Sequence, residues 1–189
     1  MGRSGIGAQT GTRLASPSED ELVTALWARG IRVFPKTGVG SPLSDGELIR
    51  GLLTSVEARF QLAVIPLLLG QPTCDAAVKA ILDTLSIPQR ATLTFYYQAA
   101  TYLQILEQEQ LPGNHALHDY FSEELALPVA THLKDQRAQL EEALRATARL
   151  QATSTGLDLN WMGAYKKAAE FVLGKTGNGS SQHRAQRPL

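Results

Sequence analysis

The chain has 189 residues, enough for one domain with a substantial core and no reason to expect two. Hydrophobic residues make up 43% and charged residues 19%, the composition of an ordinary globular protein, which excludes a largely disordered one. The formal net charge is zero, but residues 1–15 and 175–189 hold five basic side chains and no acid, so the stretch between them carries all 18 acids and a net charge of −5. An acidic body argues against a broad nucleic-acid-binding face, and the basic ends keep only a weak electrostatic contact open.

The longest strongly apolar run, Leu62 to Leu69, spans eight residues, far short of the roughly 20 that cross a bilayer. The N-terminus has no apolar h-region, so the expectation is a cytoplasmic protein without membrane contact. Cys74 is alone, which excludes an internal disulfide and a thiolate-rich zinc site from one chain. No distinctive catalytic sequence surrounds it, so it reads as a small buried apolar residue.

In chain order, residues 1–15 form a basic tail rich in Gly, Ser and Thr, expected to be disordered, as are residues 175–189. Ser16-Pro17-Ser18-Glu19 is a capping-box pattern with Pro at the first helical position, predicting a helix over 17–29 with Gly30 as its stop. Ile31 to Phe34 reads as extended chain, and Lys36 to Leu43 as a surface loop whose Gly-x-Gly lacks the strand and helix of a phosphate cradle. Ser44 caps a helix through Leu53. A further helical run over 56–69 contains Pro66, which predicts a kink or break near Leu62 to Pro66. Thr73 is placed to cap a helix over Ala76 to Leu85.

Ser86 and Pro88 open a helix predicted to run to Gln110. On it Arg90, Thr94, Gln98, Thr101, Gln104 and Gln108 form one narrow polar stripe, and the remaining positions are mostly apolar or aromatic. A helix apolar over most of its circumference must be surrounded, so helix 88–110 is the predicted central post. After Pro112-Gly113-Asn114 come a brief helix from Ser122 to Leu127, a long charged helix from Thr131 to Ala152 ended by Gly156, and a last helix capped by Asp158. The predicted fold is an all-α single domain over 16–174, a bundle of six to seven helices around 88–110.

Four constellations bear on function. His115, His118, Asp119 and Glu123 have metal-ligand side chains and, on a helix, would share roughly one face able to hold a divalent metal; the alternative is solvated histidines beside acids. Arg90, Thr94, Tyr97, Gln98 and Thr101, with Glu141 and Glu142 on the charged helix, are the candidate contacts for a partner chain. Tyr96 is expected in the core and Tyr97 at its border. Arg145, Arg149, Lys166 and Lys167 are the candidate nucleic-acid contacts. The stretch from Glu107 to Glu142 holds eight carboxylates, a wet face or a dock for a basic protein. There is no nucleophile elbow, Walker loop, His-Glu-x-x-His or Cys-x-x-Cys, and no cofactor is implied.

The runs Glu57-Ala58-Arg59-Phe60-Gln61-Leu62-Ala63-Val64-Ile65-Pro66-Leu67-Leu68-Leu69 and Phe95-Tyr96-Tyr97-Gln98-Ala99-Ala100-Thr101-Tyr102-Leu103-Gln104 resemble uncharacterised bacterial helical proteins encoded beside minimal nucleotidyltransferases. The likeness covers about residues 44–125. It implies a non-catalytic partner or antitoxin-like regulator and supplies no catalytic residues. The leading expectation is therefore an interaction module for another polypeptide. An accessory subunit of a nucleic-acid complex is the second expectation, and a metal-dependent enzyme the third.

Overall fold

A computed structural model describes residues 16–36, 38, 42–111 and 115–174. The expected tails, the Gly-x-Gly of the 36–43 loop and the Pro112-Gly113-Asn114 break lie wholly or partly outside these residues. Eight α-helices and no strand occur among them: α1 (Glu19–Ala28), α2 (Asp45–Thr54), α3 (Ala58–Leu62), α4 (Val64–Gly70), α5 (Asp75–Ile81), α6 (Ile87–Leu106), α7 (Arg137–Thr155) and α8 (Trp161–Leu173). The fold is all-α, and no helix of the described residues is long and apolar enough to cross a membrane.

The helix ends follow local chemistry, not always in the expected frame. Two overlapping Ser-x-x-Glu patterns compete at α1, and the second wins: Ser18 caps and Glu21 closes the box. Pro17 is thereby left outside the helix, close to Gly51 of α2, where an added Cβ would lie 2.7 Å from Leu22 and 3.2 Å from Pro17. Helix α2 opens on the Ser44–Glu47 box, and α6 on the Ser86–Gln89 box. Arg29 then ties α1 to α2, its guanidinium donating to Asp45 and to the carbonyls of Leu43 and Ala25.

The expected break near Pro66 falls at Ala63, between α3 and α4. Pro66 is the third residue of α4, in the first turn where backbone N–H groups lack helical partners, so its missing donor leaves no gap. Counted as one broken run, α3 and α4 bring the helices to seven. Every residue of α4 from Val64 to Leu69 is buried. It packs on α6 and α8, while α6 also meets α2 and α7, so α6 is the central helix that its composition predicts.

Four further helix ends depart from expectation. Thr73 lies inside a 3₁₀ turn, Pro72–Cys74, and α5 has no side-chain cap. Helix α6 stops at Leu106, and residues 107–110 are turns. Thr131 falls in another 3₁₀ turn, Ala130–Leu133, so the long helix begins only at Arg137; it ends at Gly156, which adopts the left-handed φ of +66° that glycine tolerates. Asn160, not Asp158, caps α8 by accepting from the Gly163 N–H at 2.9 Å.

The stretch from Ser122 to Leu127 is turns instead of a brief helix, with Ala126 at φ +52°. Its shape is set by Asp119, whose two carboxylate oxygens accept from the backbone N–H groups of Ser122 at 3.1 Å and Ala130 at 2.7 Å. A carboxylate that closes a loop across eleven residues competes with the helical ladder for the same donors. Residues 115–129 thus form an irregular strap, with Leu117 and Phe121 buried against the core.

Candidate functional site

The strap is fastened to α6 by hydrogen bonds. Gln104 donates to the His115 carbonyl at 2.9 Å and accepts from the Leu117 N–H at 2.7 Å. The single hydroxyl hydrogen of Tyr97 is shared between the His118 carbonyl, at 2.9 Å, and Asp75, and Tyr102 donates to the Pro128 carbonyl at 2.6 Å. Arg90 reaches Glu124 at 3.2 Å. The polar stripe of α6 therefore has an occupant, and it is this chain.

This corrects the expected partner surface. Thr94, Tyr97, Gln98 and Thr101 are buried, Tyr97 and Gln98 completely, and cannot meet a second chain on the folded protein. The Thr101 hydroxyl bonds back to the Tyr97 carbonyl at 3.0 Å. Tyr96 is buried as expected; Tyr97, expected at the border, is core as well. Arg90 is exposed but sits on Glu124. Burial holds the Tyr97 phenol well above its ordinary range, with the Asp75 hydrogen bond next in weight, so it acts as a donor. Burial raises the Tyr102 phenol to about 12.

Beneath the strap lies a group that sequence reading missed. Asp75, at the start of α5, is 4% exposed and accepts from the hydroxyls of Tyr97 and, at 3.2 Å, Tyr120, and pairs with Nδ1 of His118. The rings of Tyr97, Tyr120 and His118 stack in sequence, with centroids 5.5 and 5.7 Å apart. A buried carboxylate persists only when hydrogen-bonded, and here three donors from two segments satisfy it. Nothing about Asp75 in the sequence marks it as buried, because its partners lie 22 to 45 residues away.

A His whose Nδ1 rests on a carboxylate has the orientation of a general base. The described hydrogen bonds of the cluster, however, run between strap, α5 and α6, and they make it an anchor for the strap. At the adjacent Cys74, burial and then Asp45 push the thiol up to about 12.

The expected metal cluster is dispersed. His118, its side chain 67% exposed, pairs through Nδ1 with Asp75, and Asp119 spends both oxygens on the backbone. His115 and Glu123 are exposed on the strap. No group of three or more His, Cys, Asp or Glu among the described residues is placed to hold a metal ion. The helix that would have aligned them does not form.

The charges of α7 pair with each other. Glu141 meets Arg137 at 3.5 Å and Arg145 at 3.3 Å; Glu142 meets Arg145 at 3.1 Å and Arg149 at 2.6 Å. These two arginines hold the Glu142 carboxyl below its usual range. Arg145 and Arg149 thus face carboxylates of their own helix, unlike a row of cations aimed at phosphates. Lys166 and Lys167 are exposed on α8.

Beside the core contacts of α8, a groove of about 380 Å³ opens between α3, α4 and α8. Val33, Leu62, Pro66 and Phe171 line it with Ala164 and Ala168, and Arg59 and Lys167 border it. Ala164, Lys167, Ala168 and Phe171 recur at i, i+3, i+4 and i+7, one stripe of α8 that adjoins its core face, since Ala168 is buried together with Trp161, Tyr165 and Ala169. The signal was present in the sequence as a helix with more apolar circumference than one core contact uses. Comparison with known protein families, curated proteins and solved structures finds no match.

Proposed function

We propose that the chain is a non-catalytic, all-α interaction module that docks another polypeptide, the regulatory or antitoxin-like half of a two-protein pair. The observation that supports this reading is the apolar groove beside α8. Val33, Leu62, Ala164 and Phe171, half-buried apolar side chains gathered at one groove, are the kind of surface that a partner's side chains cover. The acidic and polar residues first expected to receive the partner serve this fold instead, which moves the contact from α6 and α7 to α3, α4 and α8.

Co-purification with the polypeptides encoded beside it tests the reading. Co-elution with one neighbour is expected, and Phe171→Asp should abolish it. Val56→Asp, at a residue 97% exposed elsewhere on the molecule, should not. Absence of co-elution with any neighbour, or loss with neither variant, would overturn the proposal.

A further inference from the structure

We infer that His118 is an acceptor site, its Nε2 placed to take an acyl group from an uncharged activated donor, an ester, thioester or anhydride. The inference is independent of the interaction reading above, since accepting one group needs no turnover. Asp75 is buried at the start of α5, and the hydroxyls of Tyr97 and Tyr120 are turned to it. A carboxylate that receives hydroxyl donors has only acceptor sites to offer, so Nδ1 of His118 must bring the hydrogen to their contact. With the hydrogen on Nδ1, the lone pair of the neutral ring lies on Nε2.

The ring is both held and open. Its side chain is largely exposed although Nδ1 is engaged below, which leaves the Nε2 edge to solvent. Tyr120 stacks on it with centroids 5.7 Å apart and planes 11° apart, and Tyr97 stacks on Tyr120, so the imidazole keeps one orientation. His115 and His132 are exposed as well, but no carboxylate among the described residues orients either ring. An imidazole set on a carboxylate is the better nucleophile, because the carboxylate offsets the positive charge that grows on the ring during attack. The surroundings select the donor. The strap carries Asp119, Glu123 and Glu124 and no Lys or Arg; Arg90 across from it is paired with Glu124, and Lys79 is the one cation of α5. A phosphoryl donor would bring further negative charge to these carboxylates, whereas an acyl donor brings none.

In the step, the Nε2 lone pair attacks the carbonyl carbon, and the bond from that carbon to the donor's oxygen or sulfur breaks, the leaving atom taking the electron pair. The acyl group ends on Nε2, the proton stays on Nδ1, and Asp75 faces the resulting cation. His118 is the acceptor and Asp75 a positioning residue.

Nitrogen-15 NMR of the full chain at about pH 8.5, where an ordinary imidazole is neutral, should show His118 protonated on Nδ1. The opposite tautomer would mean that Asp75 donates, and would overturn the inference. Brief pulses of diethyl pyrocarbonate at the same pH, read residue by residue by mass spectrometry, should modify His118 about 5-fold faster or more than His115 or His132. Asp75→Asn should bring His118 down to their rate. Gln104→Ala, which loosens the strap but keeps Asp75, should leave it fast. If Asp75→Asn melts early, the parent's tautomer and relative rate carry the test. Equal rates at the three histidines, an undiminished rate in Asp75→Asn, or the same loss in Gln104→Ala would overturn the inference. Phosphorylation of His118 by phosphoramidate in preference to His115 and His132, with no such preference shown by diethyl pyrocarbonate, would assign the site to phosphoryl groups and overturn the acyl reading.

Discussion

Helix α4 and the strap at 115–129 both cover α6, and they do so by opposite means. Helix α4 is buried from Val64 to Leu69 and offers only hydrocarbon. The strap contributes Leu117 and Phe121 but is fixed by hydrogen bonds to Tyr97, Tyr102 and Gln104 and by the anchor at Asp75. Apolar packing is non-directional and tolerates many geometries, so α4 needs only the right face and volume. Hydrogen bonds demand particular atoms at particular distances, and the strap is irregular because it is shaped to reach them.

The contrast can be broken from the apolar side first. Leu67→Ala in α4 should lower stability by about 2–5 kcal/mol, and Tyr96→Ala in α6 by about 3–5 kcal/mol. In both, urea melts followed by circular dichroism should show one global transition moving to lower denaturant. A loss below roughly 1 kcal/mol for either would show that the face is not packed as described.

On the polar side, Asp75→Ala should cost about 1–3 kcal/mol, since it removes the acceptor on which Tyr97, Tyr120 and His118 converge. The response should be local. Hydrogen exchange at residues 115–129 should speed up under conditions where α4 and α6 stay protected, because the strap can open without unfolding the core. Uniform acceleration across all helices would erase the distinction between the two coverings. Tyr97→Phe, which keeps the ring and deletes one hydroxyl, should cost less than Tyr97→Ala, and equal losses would mean that the phenol's hydrogen bonds do not hold the strap.

Gln98 sharpens the comparison with the opposite sign. It is fully buried, and neither end of its amide meets a partner at full hydrogen-bond geometry among the described residues, although the Tyr102 phenol is close enough to feel it; the Thr94 hydroxyl one turn earlier is also unmet. A buried polar group left unpaired costs free energy, so Gln98→Met should raise stability by about 1 kcal/mol. A destabilised variant would mean that the amide is satisfied, by a buried water for instance.

The smallest expected effect is electrostatic. The Ser18 backbone holds the Glu21 carboxyl below its ordinary value of 4.5, and the Ser44 hydroxyl does the same for Glu47. Depressed carboxylates stabilise the fold above their unfolded pKa, and that contribution is lost as pH falls through the lower folded value. Thermal melts taken downward from about pH 5 should fall less steeply for Glu21→Gln and Glu47→Gln than for the parent. An unchanged slope would show that neither box survives in solution.

How much of this was legible follows from the range of the interactions involved. Helix α2, the opening of α6, the break before Pro66 and the glycine stop of α7 depend on residues within a turn or two of each other, and the sequence determined them. It also determined that α6 is central, because a helix so apolar has to be surrounded. Tertiary structure decided what covers the polar stripe, since the same Thr, Gln and Tyr pattern fits a foreign chain or the chain's own strap. It decided the fate of His118 and Asp119 as well: their partners are Asp75, Ser122 and Ala130, and once those bonds form no helix aligns them for a metal. The groove at Phe171 belongs to the same class, because whether an apolar stripe is buried or open depends on which helices pack beside it, a property of the assembled bundle and not of any local pattern.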